Sequence, residues 1–171
     1  LFKVQESSQL ADIHYTRQGD PRGLGHAILR AKSHVGEHSF AVLLGDDIID
    51  SRDSLLDEML KLHRETGDNI VALMEVPRDQ ISLYGCASVI ESGDSSVKVI
   101  DLVEKPAPEA APSNLAVIGR YVLRHEMFEI LQQTQPGRGG EIQLTDALQH
   151  AAKHPEIAGG VRGVIFDGRR Y

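Results

Sequence analysis

Ser39-Phe40-Ala41-Val42-Leu43-Leu44-Gly45-Asp46-Asp47 is the stretch from which the rest of the chain is read. Its apolar run is short and stops at a glycine followed by two aspartates, which predicts a buried strand over Ser39–Gly45 ending in an acidic turn. Upstream, Leu24, Ile28 and Ala31 fall at helical spacing within Gly23–Val35, a helix entered through glycines. Downstream, Leu55, Leu56, Met59, Leu60 and Leu62 share one face of a helix over Asp53–Glu65, with Asp53 or Ser51 as its cap and Gly67 as its stop.

The same reading continues outward. Asn69–Val76 is a second strand, and Gly85–Glu91 and Val97–Glu104 flank the turn Ser92-Gly93-Asp94-Ser95 as a hairpin. Leu115–Leu123 is another strand, helices follow at about Arg124–Gln133 and Glu141–His154, and Gly163–Phe166 begins a last strand. Helices alternate with strands early and a strand pair interrupts later, so the expected architecture is a three-layer α/β domain with a mixed sheet.

Bulk properties narrow the function. A chain of 171 residues can bury a proper core as one domain. Its net charge of −7 repels phosphate backbones and anionic lipid, which argues against nucleic-acid or membrane-surface partners but not against one small anion held locally. No apolar run reaches the length of a membrane span, and Leu1–Leu10 has no signal-peptide core. One cysteine, Cys86, cannot form an internal disulfide, and the expected location is the cytoplasm. The chain starts without Met and stops at Tyr171, so both ends are expected to be cut from something longer.

Four local signals carry chemistry, each beside a plainer structural reading. Asp46 and Asp47 follow a strand, at the sheet edge where open α/β proteins bind ligands, and a carboxylate there suits Mg²⁺ shared with phosphate; a simple strand-ending turn is the more economical account. Arg22-Gly23-Leu24-Gly25-His26 opens a helix with backbone accessible to an anion, but it is neither GxGxxG nor a P-loop. Glu104-Lys105-Pro106 closes a strand with an acceptor for vicinal hydroxyls and a compact cation for phosphate. Partly buried, that lysine–phosphate contact would reach about 4 kcal/mol before desolvation; as a surface ion pair, Glu104 and Lys105 would contribute about 0–1 kcal/mol. Glu141, Thr145 and Asp146 in Gly140-Glu141-Ile142-Gln143-Leu144-Thr145-Asp146 either face a cleft or favour a helix dipole, and the dipole is preferred for Glu141. His34/His38 and His150/His154 lack the glutamate of a zinc motif and read as solvated helix faces. No nucleophile elbow or persuasive Cys–His pair is present.

In order, Arg17-Gln18-Gly19, Gly23-Leu24-Gly25-His26-Ala27, Leu44-Gly45-Asp46-Asp47, Tyr84-Gly85, Val103-Glu104-Lys105-Pro106, Pro112-Ser113-Asn114-Leu115-Ala116, Gly119-Arg120-Tyr121 and the Gly140–Asp146 run closely resemble the bacterial UTP–glucose-1-phosphate uridylyltransferases. The wider sugar-phosphate nucleotidyltransferases share a looser version. The resemblance spans the whole chain and implies a Rossmann-like nucleotidyltransferase fold. It also implies formation of UDP-glucose and pyrophosphate from UTP and glucose 1-phosphate with Mg²⁺, the sugar phosphate oxygen attacking the α-phosphorus without a covalent nucleophile. Gln18 and the Gly23 backbone would then read the uracil edge, and Gly25 would allow close packing beside the nucleotide. Asp46 would hold Mg²⁺, the Gly85 backbone and Glu104 the glucose hydroxyls, and Lys105 the sugar phosphate. Asn114 and Thr145 are sugar-side candidates, and Asp47 and Asp146 receive no role.

Two parts of the family pattern are not found: the N-terminal GxGTR-type triphosphate loop with its downstream PK pair, and the second metal-binding aspartate expected after Phe166-Asp167-Gly168-Arg169-Arg170-Tyr171. The expectation is therefore a truncated catalytic domain over 1–171, inactive alone, with the sheet flank exposed and a homo-oligomeric state. The alternatives are a thymidylyltransferase or other pyrimidine sugar nucleotidyltransferase, and a nucleotide- or sugar-binding module without turnover.

Overall fold

A computed structural model describes residues 11–50, 52–92 and 96–171. The Ser51 cap and the Gly93-Asp94-Ser95 part of the hairpin turn lie outside the described residues. In chain order the helices are α1 (Leu24–Leu29), α2 (Lys32–Val35), α3 (Leu55–Thr66), α4 (Met127–Gln133), α5 (Leu144–Lys153) and α6 (Pro155–Ala158). The strands are β1 (Phe40–Leu43), β2 (Asn69–Glu75), β3 (Gly85–Glu91), β4 (Val97–Glu104), β5 (Leu115–Leu123) and β6 (Val161–Ile165).

The sheet order is β1-β5-β2-β6-β4-β3, with β3 also meeting β5 at Cys86 and Ala116. β2 and β6 run parallel while β1–β5, β2–β5, β3–β4 and β4–β6 are antiparallel, so the sheet is mixed as expected. β2 and β5 are central and buried on both faces, which is why Asn69–Glu75 and Leu115–Leu123 lack polar alternation. Alternate residues part to opposite sides. Val71, Leu73, Val117, Tyr121 and Leu123 pack with Met127, Phe128, Leu131, Leu144 and Leu148 of α4 and α5. Ile70, Ala72, Ile118 and Val122 pack with Leu55 and Met59 of α3. Three layers result, and the hydrophobic run of each central strand supplies two cores at once.

Several boundaries move for physical reasons. β1 is the expected strand, but Ala41 and Leu43 are exposed because the core covers only the face to which Phe40 and Val42 turn. The predicted helix over Gly23–Val35 tightens at Arg30 and Ala31, where Ala31 N–H donates to Ile28 O, leaving two short helices. α5 begins at Leu144 because Ile142 is held extended: its N–H donates to Arg22 O and its carbonyl accepts from Gly25 N–H. Glu141 is therefore outside the first helical turn, contrary to the dipole reading, and Asp146 is the acid that occupies it. α4 begins at Met127, after a turn in which Arg124 N–H binds the Asn69 side chain. α5 stops at Lys153, short of His154, and Pro155 opens α6. β6 begins at Val161, two positions early, paired with Asn69. Asp53 accepts from Leu55 N–H at the entry to α3, and Gly67 ends that helix in the left-handed conformation.

Candidate active site

The carboxyl ends of β1 and β4 reach the same side of the sheet as the start of β3 and the first turn of α5. They enclose a cleft of about 280 Å³ whose lining includes Asp46, Gly85, Glu104, Lys105, Tyr121 and Thr145. The floor comes from β5, where Val117, Gly119 and Tyr121 share one face of the strand.

Glu104 and Gly85 are cross-strand partners at the open end of the β3–β4 hairpin. The Glu104 side chain is 14% exposed, and its Oε2 accepts from Thr145 Oγ1 at 2.6 Å. Its Oε1 lies 3.8 Å from Lys105 Nζ. The carboxylate is thus fixed by protein contacts yet keeps lone pairs for hydroxyls in the cleft. A Cβ at Gly85 would stand 3.0 Å from Thr145 Oγ1 and 3.4 Å from Glu104 Oε2, so glycine leaves the backbone approachable there. Lys105 has φ +44°, unlike any other described non-glycine residue, and its N–H donates to Tyr84 O at 3.0 Å. Held in that left-handed conformation, Lys105 leaves the strand direction with its side chain 47% exposed.

The two aspartates after β1 do different work. Asp46 is exposed on the cleft wall. Asp47 is 3% exposed: its Oδ2 accepts from Gly119 N–H, and its Oδ1 accepts from Arg170 Nε at 2.6 Å. Along that edge of β5, Leu44 N–H donates to Gly119 O, so the Asp47 carboxylate continues the pairing of β1 toward the point where β3 takes over at Ala116. Gly119 has no room for a side chain, since a Cβ would be 2.8 Å from Asp47 Cβ and Leu44 Cβ.

At the entry to α1, Gln18 Nε2 donates to Gly23 O at 3.1 Å and sits 3.1 Å from His26 Nδ1. Gly23 has φ +93°, and a Cβ there would be 2.7 Å from Glu141 Cβ. Burial, with Arg22 and Arg30 nearby, holds His26 below the ordinary imidazole range. Leu24 lines the cleft, so this cluster adjoins it. Two expected residues behave differently. The tightness at Gly25 is internal: a Cβ would be 2.7 Å from Ile142 O and 2.9 Å from Leu131, so packing on the α5 entry already requires a glycine there. Asn114 is not among the lining residues; its Oδ1 accepts from Arg78 Nη1 at 3.2 Å, anchoring the 3-10 turn Arg78–Leu83.

Tyr121 and Arg170 are site residues without an assignment from sequence. Burial, together with Glu104, Asp47 and Asp46, pushes the Tyr121 phenol well above its usual range, so it stays neutral at the cleft floor. Its parity with Val117 on β5 is the signal that would have found it; Arg170 carries no local signal. Asp146 lines a separate hollow with His150, and burial first, then Glu104, raises its carboxyl.

The sequence profile described as Nucleotidyl transferase matches residues 2–163. The chain belongs to the nucleotidyl transferase family. The chain is 44% identical over 171 residues to a UTP–glucose-1-phosphate uridylyltransferase of Bacillus subtilis, covering 100% of the chain and 57% of the relative. It is 46% identical over 173 residues to one from Pseudomonas aeruginosa, covering 100% of the chain and 61% of that protein. Among solved structures, a UDP-glucose pyrophosphorylase complexed with UDP-glucose superposes with TM-score 0.85 at 42% identity, over 92% of this chain and 59% of that one. The chain therefore spans about three-fifths of the length of the relatives it matches.

Proposed function

We propose that this chain supplies the sugar-phosphate half and part of the nucleotide half of a site that makes UDP-glucose and pyrophosphate from UTP and glucose 1-phosphate. One observation carries the reading: Glu104, oriented by Thr145 beside Gly85, sits next to Lys105 in a cleft that also contains Asp46. That is an acceptor for sugar hydroxyls, a cation for the attached phosphate and a carboxylate for a phosphate-bound cation, in one place. The names of the similar proteins agree with it.

Glu104 accepts hydrogen bonds from glucose hydroxyls, and the backbone at Gly85 lets the ring approach. Lys105 holds the sugar phosphate, whose oxygen forms the new bond to the α-phosphorus of UTP as the bond to the pyrophosphate oxygen breaks. Gln18 and the Gly23 backbone hold the base. No covalent nucleophile is required, because positioning and charge stabilisation account for the rate of such transfers. Mg²⁺ fits this donor set through Asp46, since a single exposed carboxylate suits a cation that takes its remaining oxygens from phosphates and water. Asp47 is unsuited, its oxygens being engaged by Gly119 and Arg170. When bound, the cation would neutralise charge on the triphosphate. A buried single cysteine, Cys86, accords with a cytoplasmic location.

The test is turnover of UTP and glucose 1-phosphate by the full-length protein. Glu104→Ala should raise KM for glucose 1-phosphate about tenfold or more and leave KM for UTP within about threefold, as expected for losing one buried polar contact to one substrate. Lys105→Ala should weaken glucose 1-phosphate while barely affecting free glucose. Substitutions that weaken UTP alone would reverse the assignment, and absence of UDP-glucose from the unsubstituted protein would end it.

A further inference from the structure

Asp47, Arg170 and Tyr84 form a continuous link between the two walls of the cleft. Arg170 Nε donates to Asp47 Oδ1, and Arg170 Nη1 donates to Tyr84 Oη at 3.1 Å. The guanidinium carbon also lies 5.3 Å from the Tyr84 ring centroid. On one side, Asp47 follows Asp46 and is locked to β5 through Gly119 N–H. On the other, Tyr84 precedes Gly85, and its carbonyl accepts from Lys105 N–H. Arg170 itself is tied down: it bridges to Ile49, and on either side of it Asp50 N–H donates to Arg169 O while Ile48 and Tyr171 exchange backbone hydrogen bonds. Asp47 is buried at 3% and the Arg170 side chain is 25% exposed, so the pair is shielded from the screening that weakens surface ion pairs.

The geometry points to a positioning role: the Asp47–Arg170–Tyr84 strap sets the spacing between the Asp46 wall and the Gly85–Lys105 wall. This rests on the reading above, in which the first wall serves the nucleotide and the second the sugar phosphate. A planar guanidinium suits the task because its fork engages two partners at once in fixed directions, which a lysine ammonium does not. None of the three side chains needs to touch the reacting atoms. In-line transfer depends on the separation of the two bound reactants, and a displacement of about 1 Å can cost on the order of 100-fold in rate.

The role has a signature that general destabilisation lacks. UDP-glucose spans both walls, whereas UMP and glucose 1-phosphate each occupy one. A ligand that joins two sub-sites gains affinity only if their spacing matches its own. In the full-length protein, Arg170→Gln should therefore weaken UDP-glucose by about tenfold in calorimetry, leave UMP and glucose 1-phosphate within about twofold, and lower kcat by about 100-fold. Arg170→Lys should recover only part of this, keeping the charge against Asp47 without the second arm to Tyr84. Tyr84→Phe removes one hydroxyl, should fold normally, and should show the same pattern at smaller size; it decides the matter if Arg170→Gln does not fold. Unchanged UDP-glucose affinity and kcat in these variants, equal weakening of all three ligands, or full recovery by Arg170→Lys would each overturn the strap. If the unsubstituted protein binds no UDP-glucose, the functional reading fails first and the strap goes with it.

Discussion

Asp46 and Asp47 are chemically identical neighbours in different surroundings. Asp46 opens onto the cleft; Asp47 is enclosed by a backbone donor and a guanidinium. Asp46→Asn in the full-length protein should leave thermal stability nearly unchanged, because an exposed side chain away from packing contributes within about 0.5 kcal/mol. Turnover should fall by about 100-fold or more, the loss expected when a cation loses its protein carboxylate, about 3 kcal/mol at ~1.4 kcal/mol per tenfold. Near-normal kcat at saturating Mg²⁺ would remove Asp46 from that role. At this scale the sequence exposed the groups with a chemical label: the carboxylate after a strand, the Glu-Lys-Pro stop and the threonine at a helix start. It concealed what depends on tertiary neighbours. The string does not show that a Cβ at Gly25 would meet Ile142 and Leu131, or that Asn114 Oδ1 accepts from Arg78. Arg170 is invisible because its partner is 123 residues away.

Among the elements, β2 and β5 were the most legible, since strands buried on both faces print their hydrophobicity as uninterrupted runs. Helix starts were the least legible, because tertiary hydrogen bonds fixed them: Ile142 to Arg22 and Gly25 delays α5, and Arg124 to Asn69 delays α4. Asn69 shows the energetic weight of such a joint. Fully buried at the start of β2, it donates through Nδ2 to Ala158 O at 2.9 Å and Gly160 O at 3.1 Å, and its Oδ1 accepts from Arg124 N–H at 2.9 Å. One side chain thereby joins β2, the turn into β6 and the turn into α4. Asn69→Ala would orphan Arg124 N–H and Ala158 O, while Gly160 O would keep its bond from the Asn69 backbone N–H. Two newly unsatisfied backbone groups, one buried and one part-buried, at about 1–3 kcal/mol each predict a loss of about 3 kcal/mol in denaturant unfolding. A loss below about 1 kcal/mol would show that the joint is held by the strands alone.

For the whole molecule, the mixed three-layer arrangement follows from two strands that divide their side chains between α4–α5 and α3. That arrangement leaves β1 at one end of the sheet order, paired with β5 along one edge among the described residues. Phe40 and Val42 turn toward the α4–α5 core, and Phe40 stacks on Phe128 with ring centroids 4.7 Å apart, so the strand is anchored. Leu43 on the opposite parity is 51% exposed, and Ile48 just beyond the acidic turn is 58% exposed. An anchored edge with no further partner among the described residues, and with apolar side chains beside it, is a template for pairing with another strand, including that of a second copy. The 171-residue chain should accordingly self-associate as its concentration rises, despite a net charge of −7 that opposes contact between copies. Leu43→Lys places a charge on the edge without disturbing the Phe40–Phe128 stack, and should shift the sedimentation profile toward monomer at equal concentration, with unfolding free energy within about 0.5 kcal/mol of the parent. Raising the salt should act oppositely, strengthening association by screening the repulsion between like-charged copies. A chain that stays monomeric across dilution, or one whose association ignores Leu43→Lys, would show that this edge is not the surface through which copies meet.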